Sequence, residues 1–212
     1  MRPRRQAAAS TVPRKESELP RIVESELVYD GWNRLDIITV EAVDGDGTVG
    51  RHRRELIDHG EAAVVLVVER QRGVAVLVRQ WRTGLIGTGV DPYLLEACAG
   101  IIDPGETPEE TARRETEEEI GVTVGRLRSL GSVLPSAGTL TERMHLYVAE
   151  VSAADLSSRG RGNPHEGENI EVVEVPIARL YEMARQGTIE DAKTLIIVQR
   201  LMLEAVEAGW PG

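Results

Sequence analysis

Cysteine occurs once in the 212 residues, at Cys98. A single thiol excludes an internal disulfide framework and any metal site built from clustered cysteines. Phenylalanine is absent, and aromatic residues make up 3% of the chain, too few for a stacking platform that holds successive nucleobases. Lysine is confined to Lys15 and Lys193, so arginine carries nearly all the positive charge. No apolar run approaches the roughly 20 residues that a membrane helix requires. Positive charge is scarce overall: 25 Lys and Arg stand against 35 Asp and Glu, for a net charge of −10. That balance argues against a general nucleic-acid binder and against a polybasic membrane anchor.

What is present is a globular composition. A hydrophobic share of 41% supports a core, and the length suits one large domain with a smaller appendage. Residues 1–20 hold Arg2, Arg4, Arg5, Arg14 and Lys15 around Ala7, Ala8, Ala9 and Ser10. They lack an amphipathic stretch and an apolar signal region, and Glu16 and Glu18 follow. The segment reads as a flexible arm, and the chain as cytoplasmic.

Residues 21–57 read as a small antiparallel β subdomain. Leu35 to Val40 is β-rich, Asp44-Gly45-Asp46-Gly47 is a hairpin turn, and His52 to Ile57 is a polar strand. Trp32 in this part reads as a packing residue. Residues 58–212 read as the catalytic domain. Ala62 to Val68 is a continuous apolar run suited to a strand buried on both faces. Gln71-Arg72-Gly73 is a turn, and Val74 to Arg82 the next strand. Residues 84–92 form a loop. Tyr93 to Ala97 is a short strand in a segment that ends at Gly100. Thr107-Pro108-Glu109-Glu110 is a capping box with proline at the first helical position. The helix it opens runs to Ile120 and stops at Gly121. Strands follow at about 127–133 and 143–151 and at 170–175. Residues 157–169 form a mobile polar loop. Helices close the chain at 177–186 and 192–208.

The acidic helix carries the chemistry. Glu115, Glu118 and Glu119 stand at i, i+3 and i+4, on one face and about one turn apart. Like charges so placed weaken a helix unless something neutralises them, and hard Mg²⁺ or Mn²⁺ prefers such oxygen ligands. Upstream, Gly100 opens the loop Ile101-Ile102-Asp103-Pro104-Gly105, and Glu106 follows. Gly100, Glu106, Arg114, Glu115, Glu118, Glu119, Gly121 and Val122 fit the pattern G-x5-E-x7-R-E-U-x-E-E-x-G-U, where U is bulky and apolar. This segment resembles the signature of the Nudix hydrolases. Thr116 departs from it, standing where an aliphatic residue is usual, so looser packing is expected between Ala112 and Ile120.

The resemblance implies an α/β/α sandwich around a mixed sheet and hydrolysis of a nucleoside diphosphate linked to another group. It implies two or three Mg²⁺ or Mn²⁺ ions on Glu115, Glu118, Glu119 and the Ala99 carbonyl. It makes Glu118 and Arg114 catalytic groups, with Glu106 and Arg114 orienting the ligating carboxylates. Further segments are similar to the branch that splits ADP-ribose and related nucleotide sugars: Arg53-Arg54-Glu55, Val78-Arg79-Gln80-Trp81-Arg82 and Leu95-Glu96-Ala97-Cys98-Ala99-Gly100. By that likeness Arg54 packs on a base across a homodimer and Arg82 meets a phosphate. Glu96 is a further substrate contact, and Glu142 lies near the distal sugar. Ala137 stands where that branch carries proline, which keeps sugar nucleotides such as GDP-mannose open. In His165-Glu166-Gly167-Glu168-Asn169, Glu168 is the expected general base, with Glu166 the other loop candidate and His165 facing solvent. A nucleoside triphosphate or capped-RNA hydrolase and a non-catalytic nucleotide-sugar module are the rivals. The absence of a basic channel weighs against RNA, and the complete set of carboxylates weighs against a non-catalytic module. From Glu96 to Glu119 there are nine acids and two arginines, so the acid excess is concentrated in this segment. Metal ions bound there would convert it into a site for a polyphosphate.

Overall fold

The computed structural model describes residues 19–157 and 170–207. Two compact units divide the chain, Met1–His59 and Gly60–Gly212. In the first, β1 (Arg21–Asp30), β2 (Arg34–Val43) and β3 (Val49–Asp58) form an antiparallel sheet in that order. The expected turn at Asp44 is closed by the Asp44 amide on the Thr48 carbonyl at 2.8 Å. β1 is an edge strand with nearly every residue exposed. Trp32, expected to pack, is 81% exposed, because the turn between β1 and β2 holds it away from the sheet.

The second unit is built on a mixed sheet in the order β10-β5-β4-β9-β8. Its strands are β4 (Ala62–Glu69), β5 (Val74–Trp81), β8 (Leu127–Val133), β9 (Met144–Glu150) and β10 (Glu171–Pro176). β4 runs parallel to β9 and antiparallel to its other neighbours. All eight residues of β4 are buried, as the unbroken apolar run requires. Strand alternation sends Ala62, Val64, Leu66 and Val68 to one face and Ala63, Val65 and Val67 to the other. The first face packs under α3 (Ile177–Gln186) and α4 (Ala192–Glu207) through Leu180, Tyr181, Ile197 and Val198. The second packs under α1 (Pro108–Glu115) through Ala112, and under the turn after α1 through Ile120. The result is helix, sheet, helix. A short helix, α2 (Ala153–Ser157), follows β9, and a 3₁₀ turn at Thr83–Leu85 lies at the start of the expected loop.

Two sequence expectations need correcting. The segment from Tyr93 to Gly100 is two strands, not one. β6 (Tyr93–Glu96) pairs with β5, and β7 (Cys98–Ile101) pairs with the first half of β4. β5 itself pairs only with the last residues of β4, Val67 to Glu69. β4 and β5 therefore diverge, and β6–β7 fills the fork by changing partner at Ala97. The acidic helix also does not stay α-helical to Ile120. From Thr116 to Ile120 it widens into a π turn, and Gly121, at φ 77°, ends it in the left-handed region. The cause lies at Thr116, where the wider turn begins. Its buried hydroxyl donates to the Ala112 carbonyl at 2.7 Å, competing with the regular backbone ladder. The expected looser packing is absent, because Thr116 is fully buried with its hydroxyl satisfied.

Among the described residues, no helix is long and apolar enough to cross a membrane. Leu66 is fully buried in β4, so Leu66→Ala should cost about 2–5 kcal/mol. Urea unfolding checks this, the midpoint falling with the slope preserved.

Candidate active site

α1 begins with the predicted cap. The Thr107 hydroxyl accepts the Glu110 amide, and the Glu110 carboxylate reaches back to the Thr107 amide at 2.8 Å. This fixes the first turn, and with it the direction in which Arg114 and Glu115 leave the last turn.

Arg114 is the hub. Its Nε and Nη2 fork onto the two oxygens of Glu106, both at 3.1 Å. Nη1 reaches Glu115 at 2.7 Å and Glu118 at 3.0 Å. Nη2 also donates to the Ile101 carbonyl at 3.3 Å and lies 3.6 Å from Asp103. One cation thus contacts four carboxylates. The guanidinium, with the Thr111 hydroxyl at 2.6 Å, holds the Glu106 carboxyl down at about 2. These carboxylates in turn raise the affinity of Arg114 for its proton, with Glu106 the first cause.

Gly100 and Ala99 form the opposite wall. A Cβ built on Gly100 would lie 1.9 Å from the Glu115 carboxyl carbon. Only glycine permits that approach. The Ala99 amide donates to Glu119 Oε2 at 3.3 Å. Glu119 is 6% exposed, while Glu117 points to solvent. Burial pushes the neighbouring Cys98 thiol up, and the Glu119 charge adds to the effect, so Cys98 is a protonated core residue.

A second polar cluster lies on the α4 face of the fork. Glu96 is fully buried and takes Arg82 Nε at 2.7 Å and the ammonium of Lys193. Lys193 also meets Asp191 at 2.8 Å. Arg82 and Glu96, both expected to contact substrate, therefore contact each other. Lys193, Asp191 and Thr194 were not among the sequence candidates. Two signals pointed to them: Lys193 is one of two lysines in an arginine-rich chain, and Asp191-x-x-Thr194 is a capping spacing.

The other expected residues lie apart from this cluster. Glu142 is half-buried in the stretch before β9. Arg54 stands exposed on β3 of the N-terminal unit, donating to the Arg53 carbonyl at 2.7 Å. Glu166 and Glu168, with His165, lie outside the described residues.

Comparison with known proteins gives this geometry a family. The NUDIX domain model matches residues 58–196. The chain belongs to the Nudix family. GDP-mannose pyrophosphatase of Klebsiella pneumoniae is 36% identical over 89% of this chain and 94% of its own length. The Cronobacter sakazakii protein of the same name is 37% identical, over 87% and 96%. A solved structure described as an ADP compounds hydrolase superposes with a TM-score of 0.69 at 20% identity, covering 90% of this chain and 96% of its own. It shares the α/β/α fold.

Nudix hydrolases generally use a divalent metal, and the residues here suit one. The donors are carboxylate and carbonyl oxygens, the set that hard cations prefer. The space beside Gly100 is filled by a Glu115 carboxyl rather than by a methyl. Among the described residues, no three acidic, His or Cys side chains form a ready cation cage. The reason is visible: Glu115 and Glu118 turn to Arg114, and Glu119 takes the Ala99 amide.

The depressed Glu106 carboxyl fixes the sign of a pH effect. A carboxyl held near 2 when folded and near 4.5 when unfolded stabilises the protein above about 4.5. That contribution fades as pH falls toward 2. Glu106→Gln should therefore be less stable than the unsubstituted chain at pH 7. Chemical denaturation at stepped pH should show the gap narrowing below about 4.5; a gap constant with pH would contradict the pairing.

Proposed function

We propose that the chain hydrolyses the pyrophosphate bond of a nucleoside diphosphate sugar, releasing a nucleoside monophosphate and a sugar phosphate. The observation that carries this reading is the complete set of Nudix carboxylates on one short helix, organised by Arg114 against the Ala99–Gly100 backbone. Glu115, Glu118, Glu119 and the Ala99 carbonyl would hold two or three Mg²⁺ or Mn²⁺ ions. Bound there, the metal would neutralise phosphate charge and make a water more acidic. Arg114 and Glu106 keep the carboxylates ionised and aimed. Arg82, with its side chain 39% exposed beside Glu96, is suited to meet a phosphate. Glu142 would face the distal sugar. Water adds to one phosphorus, and the bridging P–O bond breaks with its electron pair going to the departing phosphate. Glu168, or Glu166 beside it, would take the proton from that water.

ADP-ribose is the substrate the sequence first suggests. The names of the relatives, together with Ala137, favour GDP-mannose. A panel of ADP-ribose, GDP-mannose and UDP-glucose in Mg²⁺, with products identified, decides between them. GDP-mannose should be split fastest, and no turnover of any member would reject the substrate class. Glu119→Gln should lose more than about a hundredfold in activity, since even partners behind the ligands cost about 10–100-fold. Full activity in that variant would overturn the metal assignment.

The N-terminal sheet would pair with that of a second copy. Its edge strand β1 exposes Ile22, Leu27, Val28 and Tyr29, more apolar surface than an unpartnered edge normally shows. Sedimentation equilibrium should give twice the chain mass. Ile22→Lys with Val28→Lys should halve it, and a monomeric parent chain would refute the pairing.

A further inference from the structure

Ala97 occupies the point where β6–β7 changes partner, outside both ladders. Its neighbours Glu96 and Cys98 pair with Val78 and Val65 respectively. It is fully buried, so its amide must find an acceptor elsewhere. That acceptor is the hydroxyl of Thr194 at 2.7 Å, in the first turn of α4 and also fully buried. The hydroxyl has its orientation fixed in turn. It donates to Asp191 Oδ2 at 2.5 Å, the same oxygen that accepts the Thr194 amide at 2.9 Å. The other Asp191 oxygen takes Lys193, which reaches on to Glu96. Two consecutive residues of the fork, Glu96 and Ala97, are thereby pinned to the start of α4. Two residues further on, Ala99 and Gly100 meet Glu119 and Glu115 from the opposite face of the sheet. The segment is clamped from both layers.

We propose that Thr194 is a positioning residue for the metal site. Its hydroxyl, fixed by Asp191, sets the peptide plane at Ala97 and, through the short stiff run of β7, the aim of the Ala99 carbonyl. The inference rests on the proposed role of that carbonyl as a ligand. Thr194 touches neither substrate nor metal. Its loss should weaken metal binding while leaving the recognition of nucleotide sugar alone.

The test is Mn²⁺ binding to the metal-free full-length chain, followed by electron paramagnetic resonance, beside the Mg²⁺ dependence of turnover. Thr194→Val keeps the shape and removes the acceptor. It should raise the Mn²⁺ dissociation constant and the Mg²⁺ concentration for half-maximal turnover by about tenfold. KM for the nucleotide sugar at saturating metal should stay within about twofold, a split that a general loss of stability would not produce. Thr194→Ser should restore the parent values. If Thr194→Val does not fold, Thr194→Cys, with a weaker acceptor of similar size, carries the same comparison. A variant that binds Mn²⁺ as tightly as the parent, whatever its melting temperature, overturns the inference alone. A parent chain that binds no Mn²⁺ overturns the proposed metal site and this inference with it.

Discussion

One guanidinium holds the site together. Arg114 is contacted by Asp103, Glu106, Glu115 and Glu118, and it also donates to the Ile101 carbonyl. Without it, four carboxylates would crowd the end of a short helix, where the macrodipole is already negative. With it, the same acids become a scaffold that is rigid but deliberately under-neutralised. The remaining negative charge is what a divalent cation recognises. Arginine suits the task where lysine would not, because its planar fork spreads over several partners in fixed directions.

The sheet supplies the other half of the constraint. The β4 and β5 strands diverge, and the fork is filled by a segment that crosses from one to the other at Ala97. A crossing of this kind leaves polar backbone inside a hydrophobic layer. The fold resolves it with buried side chains on both faces, Glu119 from the α1 side and Thr194 from the α4 side. The irregularity that weakens the ladder is thus the same feature that exposes a carbonyl beside three glutamates.

Much of this was legible in the sequence, for identifiable reasons. The Val-rich run of β4, the capping box at Thr107 and the glycine at 121 are local signals, and each produced the expected element. The acidic spacing from Glu106 to Glu119 marked the site because repulsion of that kind needs a cause. What stayed hidden was non-local. The exchange of partners at Ala97 depends on the divergence of strands lying on either side in the sheet. The pairing of Glu96 with Lys193 spans 97 residues, and no pattern along the chain announces it. The π turn was hidden for a different reason. Thr116 was visible as a departure from the motif, but its effect depends on a hydroxyl choosing the Ala112 carbonyl over water.

The π turn has an evolutionary side. A turn with one residue beyond the α-helical count keeps Glu118 and Glu119 in place only while that count is kept. Loss of a single residue between Thr116 and Ile120 would let the helix relax to its usual pitch. Every later side chain would then rotate by about 100° relative to Glu115. A lineage can therefore vary the letters at Thr116 or Glu117 far more easily than the number of letters. Alignments of the family should show substitutions in this stretch and almost no gaps.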